Sequence, residues 1–68
     1  LKNRVKQMRQ HRKLTQEALA KKLRISRQSL ISIEKGKHTP SLSLAFAIAA
    51  FFDKSIEEIF IYDGNAEH

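Results

Sequence analysis

Apolar residues return along this chain at three- and four-residue intervals, with polar residues between them. Leu1, Val5 and Met8 form a first stripe, and Leu19, Ala20 and Leu23 a second. Leu30 and Ile33 make a third. Leu42, Leu44, Ala45, Ile48, Ala49 and Phe52 make a fourth, and Ile56, Ile59 and Phe60 close the series. This spacing is helical. Thr15, Ser26, Ser41 and Ser55 each precede a stripe, and their short side-chain oxygens suit the N-cap, where they accept from a first-turn N–H. Glu58, three residues after Ser55, has the spacing of a capping box. Ala18 lacks that chemistry three residues after Thr15, although Gln16 and Glu17 suit a first turn. The pattern predicts an all-α chain of short helices, the first over about Lys2 to His11. Gly36 is expected to end the third helix in the left-handed conformation. Phe60-Ile61-Tyr62 is read as a short C-terminal strand and Asp63-Gly64 as a turn. A domain over residues 1–62 and a flexible tail over 63–68 follow.

The second and third stripes belong together. Leu19, Ala20, Leu23, Ile25, Leu30 and Ile33 can pack two helices across a tight turn at a fixed angle. Ala20 is small where the helices approach, and Ile25 plugs the turn from inside. Leu30 and Ile33 anchor the later helix by its back, leaving Arg27, Gln28, Ile31 and Ser32 in front, with Lys35 below. A helix that reads DNA enters the major groove and contacts base edges from its N-terminal turns. A rigid partner must hold it there.

Charge sharpens this reading. The chain has 68 residues, enough for one small domain, and a net charge of +6. That balance favours a polyanionic partner: nucleic acid first, an anionic membrane surface second. The longest apolar run, Leu44 to Phe52, is too short to span a bilayer, and the N-terminal stretch lacks the apolar core of a signal peptide. There is no cysteine, which excludes disulfides, thiolate metal sites and thiol nucleophiles. His11, His38 and His68 show no metal-ligand spacing, and no glycine-rich phosphate loop exists. Ser26, Ser41 and Ser55 occupy helix caps, their usual structural place. No enzyme activity, cofactor, metal or small-molecule ligand is expected.

The stretch TQEALAKKLRISRQSLISIEKGKHTPSLSLAFAIAAFFDKSIEEIF resembles the helix-turn-helix domain of phage repressor and Cro-like regulators, the XRE-type family. Thr15-Gln16-Glu17, Leu19-Ala20, Leu23 and Ser26-Arg27-Gln28-Ser29 carry the likeness. So do Ile33-Glu34-Lys35-Gly36-Lys37, Pro40-Ser41-Leu42 and Ile56-Glu57-Glu58-Ile59-Phe60. The likeness extends from about Lys2 to Tyr62. It implies a compact five-helix bundle that binds operator DNA as a homodimer, most simply a repressor that blocks polymerase access. It also implies a prokaryotic source and a cytoplasmic, nucleoid-associated protein.

By this resemblance Arg27 and Gln28 occupy base-contacting positions. Arginine can bond guanine O6 and N7 together, and glutamine adenine N6 and N7; a phosphate contact by Arg27 would carry no sequence information. Ile31 and Ser32 complete the base-facing set. Ile31 either meets a thymine methyl or folds sideways over the following loop. Gln16 is implied to bind phosphate, with Ser26, Lys35, Lys37 and Thr39 along the rim and Arg12 and Lys13 as weaker candidates. Lys21 and Lys22 read as solvated surface charges. Arg9 and Glu34 are implied to form a structural ion pair. Arg24 departs from the family, which usually has glycine there for a positive φ; a mildly strained turn residue is expected. Phe51, Ile61 and Tyr62 are the expected dimer contacts, whereas Phe52 and Ile59 are assigned to the core. The rival reading is a helix-turn-helix protein-interaction module, like a coactivator or antitoxin. A basic membrane-surface helix is more distant, since the first stripe lacks a large aromatic residue.

Overall fold

The structure, a computed structural model, describes residues 1–62. Its elements are β1 (Lys2–Asn3), α1 (Val5–His11), α2 (Gln16–Leu23), α3 (Arg27–Glu34), α4 (Leu42–Phe52), α5 (Ile56–Ile59) and β2 (Phe60–Ile61). Five helices surround one core, and a minimal antiparallel sheet joins the two ends of the described chain. The turn expected at Asp63-Gly64 and the tail over 63–68 lie outside the described residues.

Local chemistry accounts for the helix starts. Thr15 Oγ1 accepts from the Ala18 N–H at 3.0 Å, Ser26 Oγ from Ser29 at 3.0 Å, and Ser41 Oγ from Leu44 at 3.1 Å. At Ser55 the bond is reciprocal: its Oγ accepts from the Glu58 N–H, and its own N–H donates to Glu58 Oε1 at 2.9 Å. Each such cap typically stabilises by about 1 kcal/mol. The capping box also holds the Glu58 carboxyl below its usual pKa, first through the hydrogen bond from the Ser55 backbone and then through its hydroxyl.

One boundary differs from expectation. The first helix begins at Val5, and Lys2–Asn3 is extended, with Lys2 opposite Ile61 and Asn3 opposite Phe60. Asn3 is the physical reason. Its Oδ1 accepts from the Val5 N–H at 3.1 Å, and its Nδ2 donates to the Ile33 carbonyl at 2.8 Å. Asparagine side chains compete with helical hydrogen bonding in this way. The Arg4 N–H then donates to the Ile59 carbonyl at 2.8 Å.

Four segments end by the same device. Lys13, Arg24, Gly36 and Asp53 are left-handed, with φ of 57°, 58°, 75° and 55°. After each, the next N–H bonds a carbonyl five residues back: Leu14 to Arg9, Ile25 to Ala20, Lys37 to Ser32 and Lys54 to Ala49. This bond closes the Schellman-type helix end. Only Gly36 is a glycine, and a Cβ there would also lie 3.2 Å from the Leu1 carbonyl oxygen.

The core is built from the predicted stripes, except that Leu1 and Leu42, both assigned to them, are exposed, Leu1 because it precedes the extended Lys2–Asn3 segment rather than lying on α1. Val5, Leu19, Leu30, Ile33, Ile48 and Ile59 are fully buried. Ala20, Ala45, Ala49, Phe52 and Phe60 join them, with Leu23 and Ile25 half-buried against the cluster. The α2–α3 pair is thereby seated on the rest of the bundle by its back.

Candidate nucleic-acid interface

The side chains of Arg27 and Gln28 are exposed in the first turn of α3, immediately after the Ser26 cap. Their backbone cannot wander, because Leu30 and Ile33, one to two turns further along the same helix, are wholly buried. Ile31 and Ser32 are half-buried and Lys35 is exposed. Below them the Ser32 carbonyl accepts from both the Lys37 and His38 N–H groups, at 3.0 and 3.3 Å. That folds the loop carrying Lys37 and Thr39, both exposed, back against the end of α3.

The start of α2 meets the start of α3 around an open hollow of about 460 Å³, lined by Arg9, Thr15, Gln16, Glu17 and Arg27. Gln16 and Arg27 therefore share one depression although eleven residues separate them. At its edge Arg9 and Glu34 form an ion pair, with Arg9 Nε 2.7 Å from Glu34 Oε2 and Nη2 3.2 Å from Oε1. Arg9 Nη1 donates to the Leu14 carbonyl at 2.9 Å, and Gln16 Nε2 to Glu34 Oε1 at 3.1 Å. Every donor and acceptor in this partly buried cluster that water cannot reach is paired.

Other residues are engaged elsewhere. Arg12 turns toward α4, where its Nη1 donates to the Phe51 carbonyl at 2.9 Å and its guanidinium lies 5.4 and 5.1 Å from the Phe51 and Phe52 ring centres. Phe51 itself is half-buried. Arg12 also lines a second open hollow, of about 540 Å³, with Arg4, Met8, His11, Phe52 and Lys54 among its walls. Ile61 is half-buried in β2, and Tyr62 is exposed. Arg24 is an exposed left-handed residue, as its place in the turn requires.

Two exposed residues escaped the sequence reading. Leu42 and Phe46 are 69% and 58% exposed on the outer side of α4. The apolar spacing places Leu42 in the buried stripe; instead it aligns with Phe46 and Ala50 at four-residue steps, on a face separate from Ile48 and Phe52. The signal was present: α4 is apolar around most of its circumference, so it carries more apolar surface than one core-facing stripe needs. Among the described residues no group of side chains could hold a metal ion, and no helix is long and apolar enough to cross a membrane.

Comparison with known proteins points the same way. The family model described as Helix-turn-helix matches residues 5–59. The chain is 60% identical over 63 residues to an uncharacterized HTH-type transcriptional regulator of Methanocaldococcus jannaschii, covering 93% of this chain and 96% of that protein. An HTH-type regulator of Archaeoglobus fulgidus is 44% identical over 63 residues, covering 93% of this chain and 89% of its own length. The immunity repressor protein of Bacillus phage phi105 is 39% identical over 70 residues, covering 96% of this chain but only 49% of the repressor.

Proposed function

Because this chain belongs to the helix-turn-helix family of DNA-binding transcriptional regulators, in its phage repressor and Cro-like branch, we propose that it is a repressor. In this reading it binds a palindromic operator as a homodimer in the cytoplasm and blocks polymerase access. The observation that carries the proposal is the front of α3: Arg27 and Gln28 stand exposed in its first turn while its back is locked in the core. Arg27, Gln28, Ile31 and Ser32 face the bases. Gln16, Ser26, Lys35, Lys37 and Thr39 hold the phosphates on either side. The phage relative's name, an immunity repressor, supports repression over activation.

Two-fold reading requires a second copy, and the outer face of α4 suits one. A chain of net charge +6 repels itself wherever its lysines and arginines would meet. The exposed residues of α4, Leu42, Ser43, Phe46, Ala47 and Ala50, carry no charge. Leu42 also follows closely on the Lys37–Thr39 rim, which brings the dyad near the DNA-facing side. Phe51, Ile61 and Tyr62 remain proposed contacts of the same homodimer; Tyr62 is exposed, and Phe51 and Ile61 are half-buried.

The test is selection from random duplexes, followed by sequencing, at two salt concentrations. A two-fold symmetric motif is expected, with affinity falling steeply as salt rises, since several phosphates are neutralised. Weak binding with no enriched motif would overturn the proposal and redirect attention to a protein partner.

A further inference from the structure

The contact of Gln16 with the Arg9–Glu34 pair has a directional consequence. Glu34 ends α3, and its side chain is only 3% exposed. Its carboxylate accepts from Arg9 Nε, Arg9 Nη2 and Gln16 Nε2. An ionised carboxylate offers acceptors only. A glutamine amide has a donor end and an acceptor end of nearly equal shape, so nothing in its size fixes which way it points. Beside Glu34 the choice is forced: the nitrogen must face the carboxylate, and the oxygen must turn away. One N–H of Nε2 is then held at 3.1 Å, and the second is left for another acceptor. That acceptor would lie in the hollow that Gln16 shares with Arg27.

We infer that Glu34 is a positioning residue for DNA binding. Held by Arg9, its carboxylate sets the orientation of the Gln16 amide and prepares the second N–H for a phosphate oxygen. This rests on the reading of Gln16 as a phosphate contact. Glu34 belongs to the recognition helix and Gln16 to the helix before it. The same bond therefore ties a phosphate donor to the element that reads bases, so that seating on the backbone fixes the register of α3.

The experiment is a double-mutant cycle on affinity for the duplex enriched by selection, at one fixed salt concentration. Gln16→Ala should weaken binding by about tenfold or more, as expected for loss of a hydrogen bond to a charged group. With Glu34→Gln already present, Gln16→Ala should cost at least about threefold less than in the parent, because the amide, no longer held by a carboxylate, can turn either end toward the phosphate. Equal costs in both backgrounds would overturn the positioning role while leaving the phosphate contact standing. No effect of Gln16→Ala in the otherwise unchanged protein would remove the phosphate contact and the positioning role with it.

Glu34→Gln strands the Arg9 charge and can prevent folding. The cycle is therefore repeated on Arg9→Met/Glu34→Met, which removes both charges together, with thermal melts confirming the fold. In the unaltered protein, one of the two Gln16 side-chain amide protons should be shifted away from its free-glutamine position and protected from exchange, while the other is not. Signals like those of a free glutamine would overturn the inference without any substitution.

Discussion

The fronts of α3 and α4 are built on the same plan and end in opposite chemistry. Both helices bury one face in the common core, through Leu30 and Ile33 in one and Ala45, Ile48, Ala49 and Phe52 in the other. Both leave the other face in water. On α3 that face carries Arg27 and Gln28, with Lys35 just past its end; on α4 it carries Leu42 and Phe46. Exposed cations and amides are well solvated, and their specificity comes from donors that a phosphate or base edge can meet. Exposed leucine and phenylalanine gain only by leaving water, by roughly 1.5–3 kcal/mol for each side chain fully buried. In the proposed reading the difference separates two tasks on one small domain: one face for a polyanion, one for an apolar surface without opposing charge.

The largest test of this contrast is to make α4 resemble α3. Phe46→Lys places like charges face to face across the proposed dyad, at a cost of several kcal/mol. Sedimentation should show dimer dissociation at concentrations about a hundredfold higher or more than for the parent. Because Phe46 is 58% exposed, folding stability should change by only about 0.5 kcal/mol in thermal melts. A dimer that survives Phe46→Lys unchanged would place self-association elsewhere. The reverse change, Gln28→Ala, strips the front of α3 and leaves α4 intact. It should cost about 1–3 kcal/mol of discrimination at one base position in each half-site, read by selection and sequencing, with the dimer unaffected. Arg27→Ala should do the same at a neighbouring position. If it instead weakens all sequences alike, Arg27 holds phosphate rather than a base.

Both fronts were partly legible in the sequence, for different reasons. Helix starts at Thr15, Ser26, Ser41 and Ser55 depend on atoms three residues away, so spacing alone reveals them. The back of α3 was equally plain, and burial of Leu30 and Ile33 leaves Arg27 and Gln28 outside by elimination. On α4 the same logic runs short. A helix apolar on several sides does not say which side meets the core, and Leu42 reads as inward by spacing although it lies outward. Asn3 misleads for another reason: its role depends on Ile33, thirty residues away, and on pairing with Phe60. The Gln16–Glu34 bond likewise spans eighteen residues and two helices. Lys13 and Asp53 take left-handed conformations that no glycine advertises.

Salt dependence separates charge from readout along the α3 side. Lys37 is exposed on the loop that the Ser32 carbonyl folds against the helix end. If Lys37 neutralises one phosphate, Lys37→Ala should make the slope of log affinity against log salt shallower by about 0.9. The enriched motif should stay the same. An unchanged slope would make Lys37 a solvated surface charge, and a changed motif would make it a reader.

Arg24 gives the smallest and cleanest version of that separation. It lies in the turn leading to α3, exposed, with φ 58° and ψ 40°. A left-handed conformation costs a residue with a Cβ roughly 1–2 kcal/mol, which Arg24→Gly would relieve. Glycine also adds freedom to the unfolded chain, worth about 0.4–1 kcal/mol in the other direction. The Ile25 N–H to Ala20 carbonyl bond at 3.0 Å does not involve the arginine side chain and should persist. The net expectation is a gain in stability of about 0.5 kcal/mol in denaturant titration, with the operator motif unchanged. The front of α3 keeps its residues and its support, so only the charge beside it is altered. A shift in the preferred sequence would mean that the turn itself takes part in reading, and that the recognition surface begins before α3 does.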